Sequence, residues 1–327
     1  MVTLMKKKDF KKIGKNVVEL EIQALKKLKK SLNNSFNQAV EAIVKCQSKI
    51  IFCGVGKSSK ISAKLSATFS SVGCPSFILS GAEASHGDMG SIQKKDILIL
   101  ISYSGETQEL KNIIQFANRN RITLIGIVSN KNSTLYKASD IKLLIPEVKE
   151  AGHGIVPTSS TTSAMALGDA LAIASMEYKK FGKLDFKKFH PSGNLGKKLK
   201  TVEDLMIVKN KIPFINENKS IKDGLKILNS KRLGVLVARN NKSLTTGIFT
   251  DGDIKRIIQK KNNIIEKKIK SLMTKNPISV DKDTLAVKAL DIMNEKKITC
   301  LCVHKDNKKK KTIGIIHIHN ILEKNIN

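Results

Sequence analysis

Three stretches of this 327-residue chain carry residue types that could grip a phosphate ester and move a proton beside it. In Ile50-Ile51-Phe52-Cys53-Gly54-Val55-Gly56-Lys57-Ser58-Ser59, an apolar run suited to a buried parallel strand ends in a Gly-x-Gly turn. A lysine and small hydroxyl residues follow. Such a turn brings backbone N–H groups and a helix N-terminus close to an anion. A Walker A loop would need glycine at position 51, which is Ile51, and a dinucleotide fingerprint would need it at Ser59. An ATPase or nicotinamide enzyme is therefore disfavoured, and a smaller phosphate ester favoured. The second stretch is Ile97–Ile101, which opens into Ser102-Tyr103-Ser104-Gly105-Glu106-Thr107. Its short hydroxyls can donate to phosphate oxygens while the next helix faces the charge. The third is Thr158–Ser163, six hydroxyl residues in succession before an apolar helix over Ala164–Met176, more than one N-cap requires.

The elements that must position these corners follow from hydrophobic spacing. Residues 7–45 read as two helices, with Val17, Val18, Leu20, Leu25, Leu28 and Leu32 at helical intervals. From Lys49 strands and helices alternate: strand 50–53, helix 58–71, strands 76–79 and 96–101, helix 107–118, strand 122–128. A short helix 133–138, strand 141–145 and a long helix 159–181 complete the set. Strands of Ile, Leu and Val separated by helices imply an α/β, doubly wound parallel sheet covered on both faces. Ligands of such sheets bind at the strand C-terminal ends, where the three corners would converge.

A boundary is expected in the loop around Gly182–Lys200, rich in Gly, Pro and Lys. Beyond it lies an internal repeat: Val202-Glu203-Asp204-Leu205-Met206 recurs as Ile269-Lys270-Ser271-Leu272-Met273. Each copy continues with a helix (220–230 and 284–295) and a hairpin, Gly247-Ile248-Phe249 answering Gly314-Ile315-Ile316. Lys308–Lys311 reads as a hairpin tip. Units of about sixty-five residues bury their apolar faces poorly alone, so the copies should pack as an α+β pair.

Composition narrows the class. Hydrophobic content of 41% fits a globular protein, and no apolar run reaches membrane-span length. The basic N-terminus lacks the apolar stretch of a secretory signal. Five cysteines without metal spacing fit reduced thiols in a cytoplasm. The charge of +31 suggests nucleic acid at first. The positive residues are spread from Lys6 to Lys324, only five are Arg, and aromatics make up 4%. That pattern describes a solvated lysine surface, with little for bidentate phosphate grip or base stacking, so no specific nucleic-acid partner is expected.

Taken together these residues resemble the D-arabinose 5-phosphate isomerase family, a sugar isomerase (SIS) domain followed by two cystathionine-β-synthase (CBS) repeats. The resemblance rests on Gly54-Val55-Gly56-Lys57-Ser58, Glu83-Ala84-Ser85-His86-Gly87-Asp88 and Ser102–Glu109. It continues through Lys149-Glu150-Ala151, Pro157–Thr162, Gly168-Asp169-Ala170 and His190-Pro191-Ser192-Gly193-Asn194-Leu195-Gly196. It implies N-terminal helices over 1–46 packed on an SIS domain at 47–184. A linker with His190 at 185–200 and CBS copies at 201–262 and 266–327 follow. The family interconverts D-ribulose 5-phosphate and D-arabinose 5-phosphate through a cis-enediol, feeding Kdo synthesis for lipopolysaccharide or capsule, and its members tend to be tetramers.

Such an isomerisation needs a base near C1 and C2 and an acid at the carbonyl oxygen. The resemblance puts Lys57, Glu109, Glu150 and His190 at catalytic positions. Carbon proton transfer falls to a carboxylate, Glu109 ahead of Glu150. His190 moves protons between oxygens, and Lys57 neutralises phosphate or enediolate charge. Substrate contacts are implied at Gly56, Ser58, Gly73, Cys74, His86, Ser102, Ser104, Thr107, Ser159, Ser160 and Thr161. Where some members carry a zinc-binding histidine this chain has Ser80, so no metal or cofactor is expected. The stretch Glu150-Ala151-Gly152-His153-Gly154-Ile155-Val156-Pro157 is a residue shorter than the family's usual loop, and His153 has no assigned role. Thr250 and Asp253 fit the Thr-x-x-Asp pattern by which a CBS repeat holds a nucleotide or a CMP-Kdo effector, whereas His317–Asn320 has lost it. A noncatalytic sugar-phosphate-sensing regulator, or an isomerase of another sugar phosphate, are the competing readings.

Overall fold

The structure, a computed structural model, describes residues 9–190, 193–258, 265–305, 311–324 and 326. The chain divides into two compact units, one reaching to Phe186 and the other beginning at Lys187.

The first unit is a helix-covered parallel sheet. Its elements are α1 (Phe10–Ser31), α2 (Asn34–Lys45), β1 (Ile50–Gly54), α3 (Lys57–Ser71), β2 (Ser76–Ser80) and β3 (Ile97–Ile101). They continue with α4 (Lys111–Arg119), β4 (Thr123–Val128), α5 (Thr134–Ala138), β5 (Ile141–Leu144) and α6 (Ser159–Tyr178). The strand order is β2-β1-β3-β4-β5, all parallel. β1 and β3 are buried along their whole length, as strands covered on both faces must be. Alternate residues feed two cores. Phe52, Ile99 and Ile125 join Leu65 and Phe69 of α3 and Leu167 and Leu171 of α6. Ile51, Leu98, Leu100 and Leu124 meet Ile113 and Ile114 of α4 and Leu135 of α5. The Phe52 and Phe69 rings lie 5.1 Å apart, each burial contributing about 2–3 kcal/mol. α1 and α2 pack on α6.

The expected helix over 107–118 is instead a single 3-10 turn at Gln108–Leu110 followed by α4. The expected loop over 182–200 contains two short helices, α7 (Lys183–Phe189) and α8 (Gly193–Lys198). Their few apolar residues gave too short a period to read.

The second unit holds the repeat: α9 (Val202–Leu205), β6 (Ile207–Val208), β7 (Phe214–Asn216), α10 (Ile221–Lys231), β8 (Val235–Arg239), β9 (Thr245–Thr250) and α11 (Asp251–Ile258). Then come β10 (Thr274–Lys275), β11 (Ser279–Asp281), α12 (Ala286–Lys296), β12 (Cys300–His304), β13 (Thr312–His317) and α13 (Ile318–Leu322). Its two sheets run β10-β9-β8-β7 and β11-β12-β13-β6, so each copy lends its edge strand to the other. This exchange ties the two repeated motifs together. Met206 and Met273 lie against Gly314 and Gly247, where an added Cβ would overlap the methionine sulfur. Val235, Val237, Cys300, Cys302 and Ile315 form the seam between copies, and the equivalent residues Thr245 and Thr312 share a buried 2.7 Å hydroxyl hydrogen bond. Most of the Lys308–Lys311 tip lies outside the described residues.

Candidate active site

Register places the corners. β1 pairs with β3 so that Gly54 lies opposite Ile101, and the Gly-Val-Gly-Lys and Ser-Tyr-Ser-Gly turns leave adjacent strands at one level. The chain winds from β1 outward to β2 on one side and from β3 to β4 and β5 on the other, so the two turns flank the topological switch point. Gly56 has φ +59° and ψ −122°, a conformation open to glycine, and caps α3 without any side-chain bond. The first N–H groups of α3 therefore face the crevice, with Lys57 exposed beside them.

The second corner is built by its own hydroxyls. The buried Ser102 Oγ shares a 2.8 Å hydrogen bond with Thr107 Oγ1 and accepts the Gly105 N–H at 3.0 Å. Ser104 Oγ accepts the Glu106 N–H at 3.2 Å. Two residues absent from the expected set hold this loop. Glu106 accepts the Thr134 N–H at 2.7 Å and the Thr134 hydroxyl at 2.8 Å, fastening the loop to the start of α5; those bonds hold its carboxyl below the usual range. Tyr103 accepts the Val148 N–H through its hydroxyl at 3.1 Å, joining the loop to the segment before Glu150. The only sequence signal for Glu106 was its place before a Ser-Thr helix start twenty-eight residues away, a pairing invisible without the sheet.

The third corner belongs to Glu150. Its carboxylate accepts the Thr158 N–H at 2.8 Å, the Thr158 hydroxyl at 3.0 Å and the Ser160 N–H at 3.3 Å, so a side chain eight to ten residues upstream caps α6. Burial pushes this carboxyl up, but donors from Ser160 and Thr158 outweigh it and leave the group below its usual range. The positive end of α6 is thus matched from within the protein, whereas no side chain among the described residues caps that of α3. Ser159 Oγ is fully buried without a hydrogen-bond partner among the described residues. Thr161 bonds back to the Thr158 carbonyl at 2.8 Å.

α3 and α6 run parallel, since Lys64 pairs with Asp169 midway and Lys179 reaches the Gly73 carbonyl at 2.8 Å beyond. Both helices start at the strand C-terminal rim. That rim accordingly gathers Gly56, Lys57, Ser58, Ser102, Ser104, Thr107, Ser159, Ser160, Thr161 and Glu150. Glu109 lies in the 3-10 turn after β3, exposed and without a hydrogen bond or ion pair among the described residues. His86 lies exposed in a 3-10 turn after β2 that Asn112 of α4 holds through Ser85 at 3.1 Å. Ser80 Oγ is taken by the Glu83 N–H.

Gly73 and Cys74 are not brought to the rim. They precede the first residue of β2, at the opposite end of the sheet, against Phe181 and Lys179. Burial raises the Cys74 thiol, Lys179 notwithstanding, and pushes Cys53 and Cys302 up to about 12. Such burial disfavours the thiolate, the reactive form of each. His190 follows α7 and belongs to the second unit, so it is not among the residues gathered at the rim of the first; Pro191 and Ser192 lie outside the described residues. There Thr250 and Asp253 cap α11 reciprocally: the Thr250 N–H and hydroxyl both donate to Asp253 at 2.8 Å, and Arg256 binds its other oxygen. In the second copy His317 and Asn320 keep the same capping turn although the Thr-x-x-Asp residues are gone.

Comparison with known proteins agrees with this geometry. The SIS domain family matches residues 43–174, and the CBS domain family matches 202–260 and 269–326. Arabinose 5-phosphate isomerase KdsD of Yersinia pestis is 39% identical over 316 residues, 96% of this chain and 95% of that one. RP505 of Rickettsia prowazekii is 40% identical over 314 residues, covering 96% and 97% of the two chains. The solved structure of c3406 from E. coli CFT073 in complex with arabinose 5-phosphate matches 57% of this chain and all of its own, with 38% identity and a TM-score of 0.55.

Proposed function

Because the chain belongs to the arabinose 5-phosphate isomerase family, an SIS domain followed by two CBS domains, we propose that it interconverts D-ribulose 5-phosphate and D-arabinose 5-phosphate. The observation that carries this reading is the register of Gly54 against Ile101. It sets an uncapped helix start and a hydroxyl loop side by side, a cradle for one phosphate monoester. The sugar then extends toward the α6 start and the 3-10 turn bearing Glu109.

Within that frame the two carboxylates part company. Glu150 spends its lone pairs on α6 and is held ionised, which lowers its basicity toward a carbon acid. It is a positioning residue that orders Ser159, Ser160 and Thr161. Glu109 keeps its lone pairs free and is the base that takes the C1 proton and returns it to C2. Lys57 balances the phosphate and the enediolate oxygen. The family resemblance, rather than the geometry of the first unit, gives His190 the proton transfer between O1 and O2.

The finer points follow from the same family. The product feeds Kdo synthesis in a cytoplasmic pathway. The CBS pair takes a nucleotide-type effector at Thr250 and Asp253. Self-association to a tetramer is supported by the exposed apolar residues Phe10, Ile13, Val18 and Ile22 along α1, with Ile173 and Tyr178 on α6. No helix among the described residues is long and apolar enough to cross a membrane.

The test is steady-state turnover of the purified chain on D-ribulose 5-phosphate, D-ribose 5-phosphate and D-fructose 6-phosphate. Arabinose 5-phosphate forming from the first alone supports the reading. Turnover of either other sugar phosphate with none of the first would replace it.

A further inference from the structure

The second unit contains a cationic cavity that neither the isomerase chemistry nor the Thr250–Asp253 turn uses. It measures about 320 Å³ and opens where β7 and β8 end, under the hairpin joining β8 to β9. β8 pairs Val235 with Thr250 and Arg239 with Thr245, so Arg239 lies four residues along the strand from the Thr250 end, roughly 13 Å at 3.3 Å per residue. The cavity is thus separate from the Thr-x-x-Asp turn.

Its lining has more donors than acceptors. The Arg239 guanidinium carbon lies over the Phe214 ring, 3.4 Å from its centroid, which restrains the fork. Asn240 Oδ1 is occupied by the Lys242 and Leu244 N–H groups, both at 3.0 Å. Asn216 Oδ1 takes the Asn218 N–H and Asn241 Oδ1 takes the Asn216 side-chain amide, each at 2.9 Å. What remains without a protein acceptor among the described residues is the whole guanidinium, the Asn240 and Asn241 amide NH2 groups and the Ser243 hydroxyl. Glu217, whose backbone N–H bonds the Arg239 carbonyl, makes no ion pair with it among the described residues. Burial lowers the Arg239 pKa, the signature of a cation with its hydration reduced and no counter-charge supplied.

We infer that this cavity binds a small multivalent oxyanion, held bidentately by the Arg239 fork and by the Asn240, Asn241 and Ser243 donors. The chemistry serves a phosphate ester or a polycarboxylate alike, because a guanidinium meets either with two parallel N–H bonds. The volume admits a metabolite of about a dozen non-hydrogen atoms. Arg239 already occupies a face of Phe214, the aromatic residue of the lining, and the ring packs on the seam core, which disfavours stacking of a nucleobase there.

Hydrogen exchange on the full-length protein tests this, with pyrophosphate and citrate added separately at constant ionic strength. Protection of the amides of residues 239–245 by pyrophosphate alone identifies a phosphate site, by citrate alone a carboxylate site, and by both a general oxyanion site. Arg239→Gln should weaken that protection by about tenfold or more, and Arg239→Lys by a smaller factor, since lysine keeps the charge and loses the fork. No protection of this hairpin by either anion, or equal protection in Arg239→Gln and wild type, overturns the proposal. Should the glutamine variant fold poorly, Arg239→Lys decides the same question, and protection equal to wild type in that variant counts against the fork.

Discussion

Glu150 receives the Thr158 N–H at 2.8 Å and its hydroxyl at 3.0 Å through one oxygen, so the residue that resembles a catalytic base is first a helix cap. This relationship separates two carboxylates that composition and spacing leave equivalent. It also yields opposite expectations for their removal.

Glu150→Ala should lower stability by about 1–2 kcal/mol, the ordinary cost of losing a cap with buried partners left unpaired. Turnover should fall with it. Glu109→Gln should leave the melting temperature unchanged and reduce kcat by roughly 10²–10⁴-fold, the usual worth of a general base. Thermal melts beside steady-state kinetics distinguish them, and the reverse pattern would exchange the two roles.

The Glu150 cap also carries a pH signature. Its folded pKa lies below the unfolded value of about 4.3, so its stabilisation is complete above that value and fades as pH falls through the folded one. The stability gap between wild type and Glu150→Gln, measured by denaturant unfolding, should therefore be constant near neutrality and narrow below about pH 4.3. A gap that widened on acidification would contradict the cap.

Lys57 occupies the first position of α3, where a positive charge opposes the helix dipole. Lys57→Ala should be neutral in stability or gain a few tenths of a kcal/mol, while kcat/KM drops at least tenfold. Destabilisation by this substitution would show that Lys57 serves the fold.

Much of this architecture was legible in the chain because buried strands declare themselves. Ile97–Ile101 and Ile50–Cys53 are unbroken apolar runs, and the Gly-Val-Gly-Lys and Ser-Tyr-Ser-Gly turns follow them directly. The strand exchange of the repeat was not legible. β6 and β10 are two residues long, and their partners lie about 106 and 26 residues away, beyond any local period. The same holds for Glu106 and Tyr103, whose hydrogen bonds reach 28 and 45 residues along the chain. Gly73 and Cys74 entered through resemblance alone, and their position before β2 follows from strand direction, which no spacing reveals.

The Thr245–Thr312 hydrogen bond spans the seam between the CBS copies. Either Thr→Val substitution should cost about 1–3 kcal/mol, because it removes one bond from a buried polar cluster that also holds His304 Nε2 and the Thr312 N–H. The double variant should cost less than the two singles together, a coupling of about 0.5 kcal/mol or more by urea unfolding. Strict additivity would mean the two hydroxyls act independently.

Proton transfer at carbon can be observed directly. Incubated with D-ribulose 5-phosphate in D2O and followed by NMR, the protein should release D-arabinose 5-phosphate carrying deuterium at C2, and Glu109→Gln should slow formation of that labelled product by roughly 10²–10⁴-fold. No arabinose 5-phosphate from the wild-type protein, or undiminished labelled product from Glu109→Gln, would contradict the account.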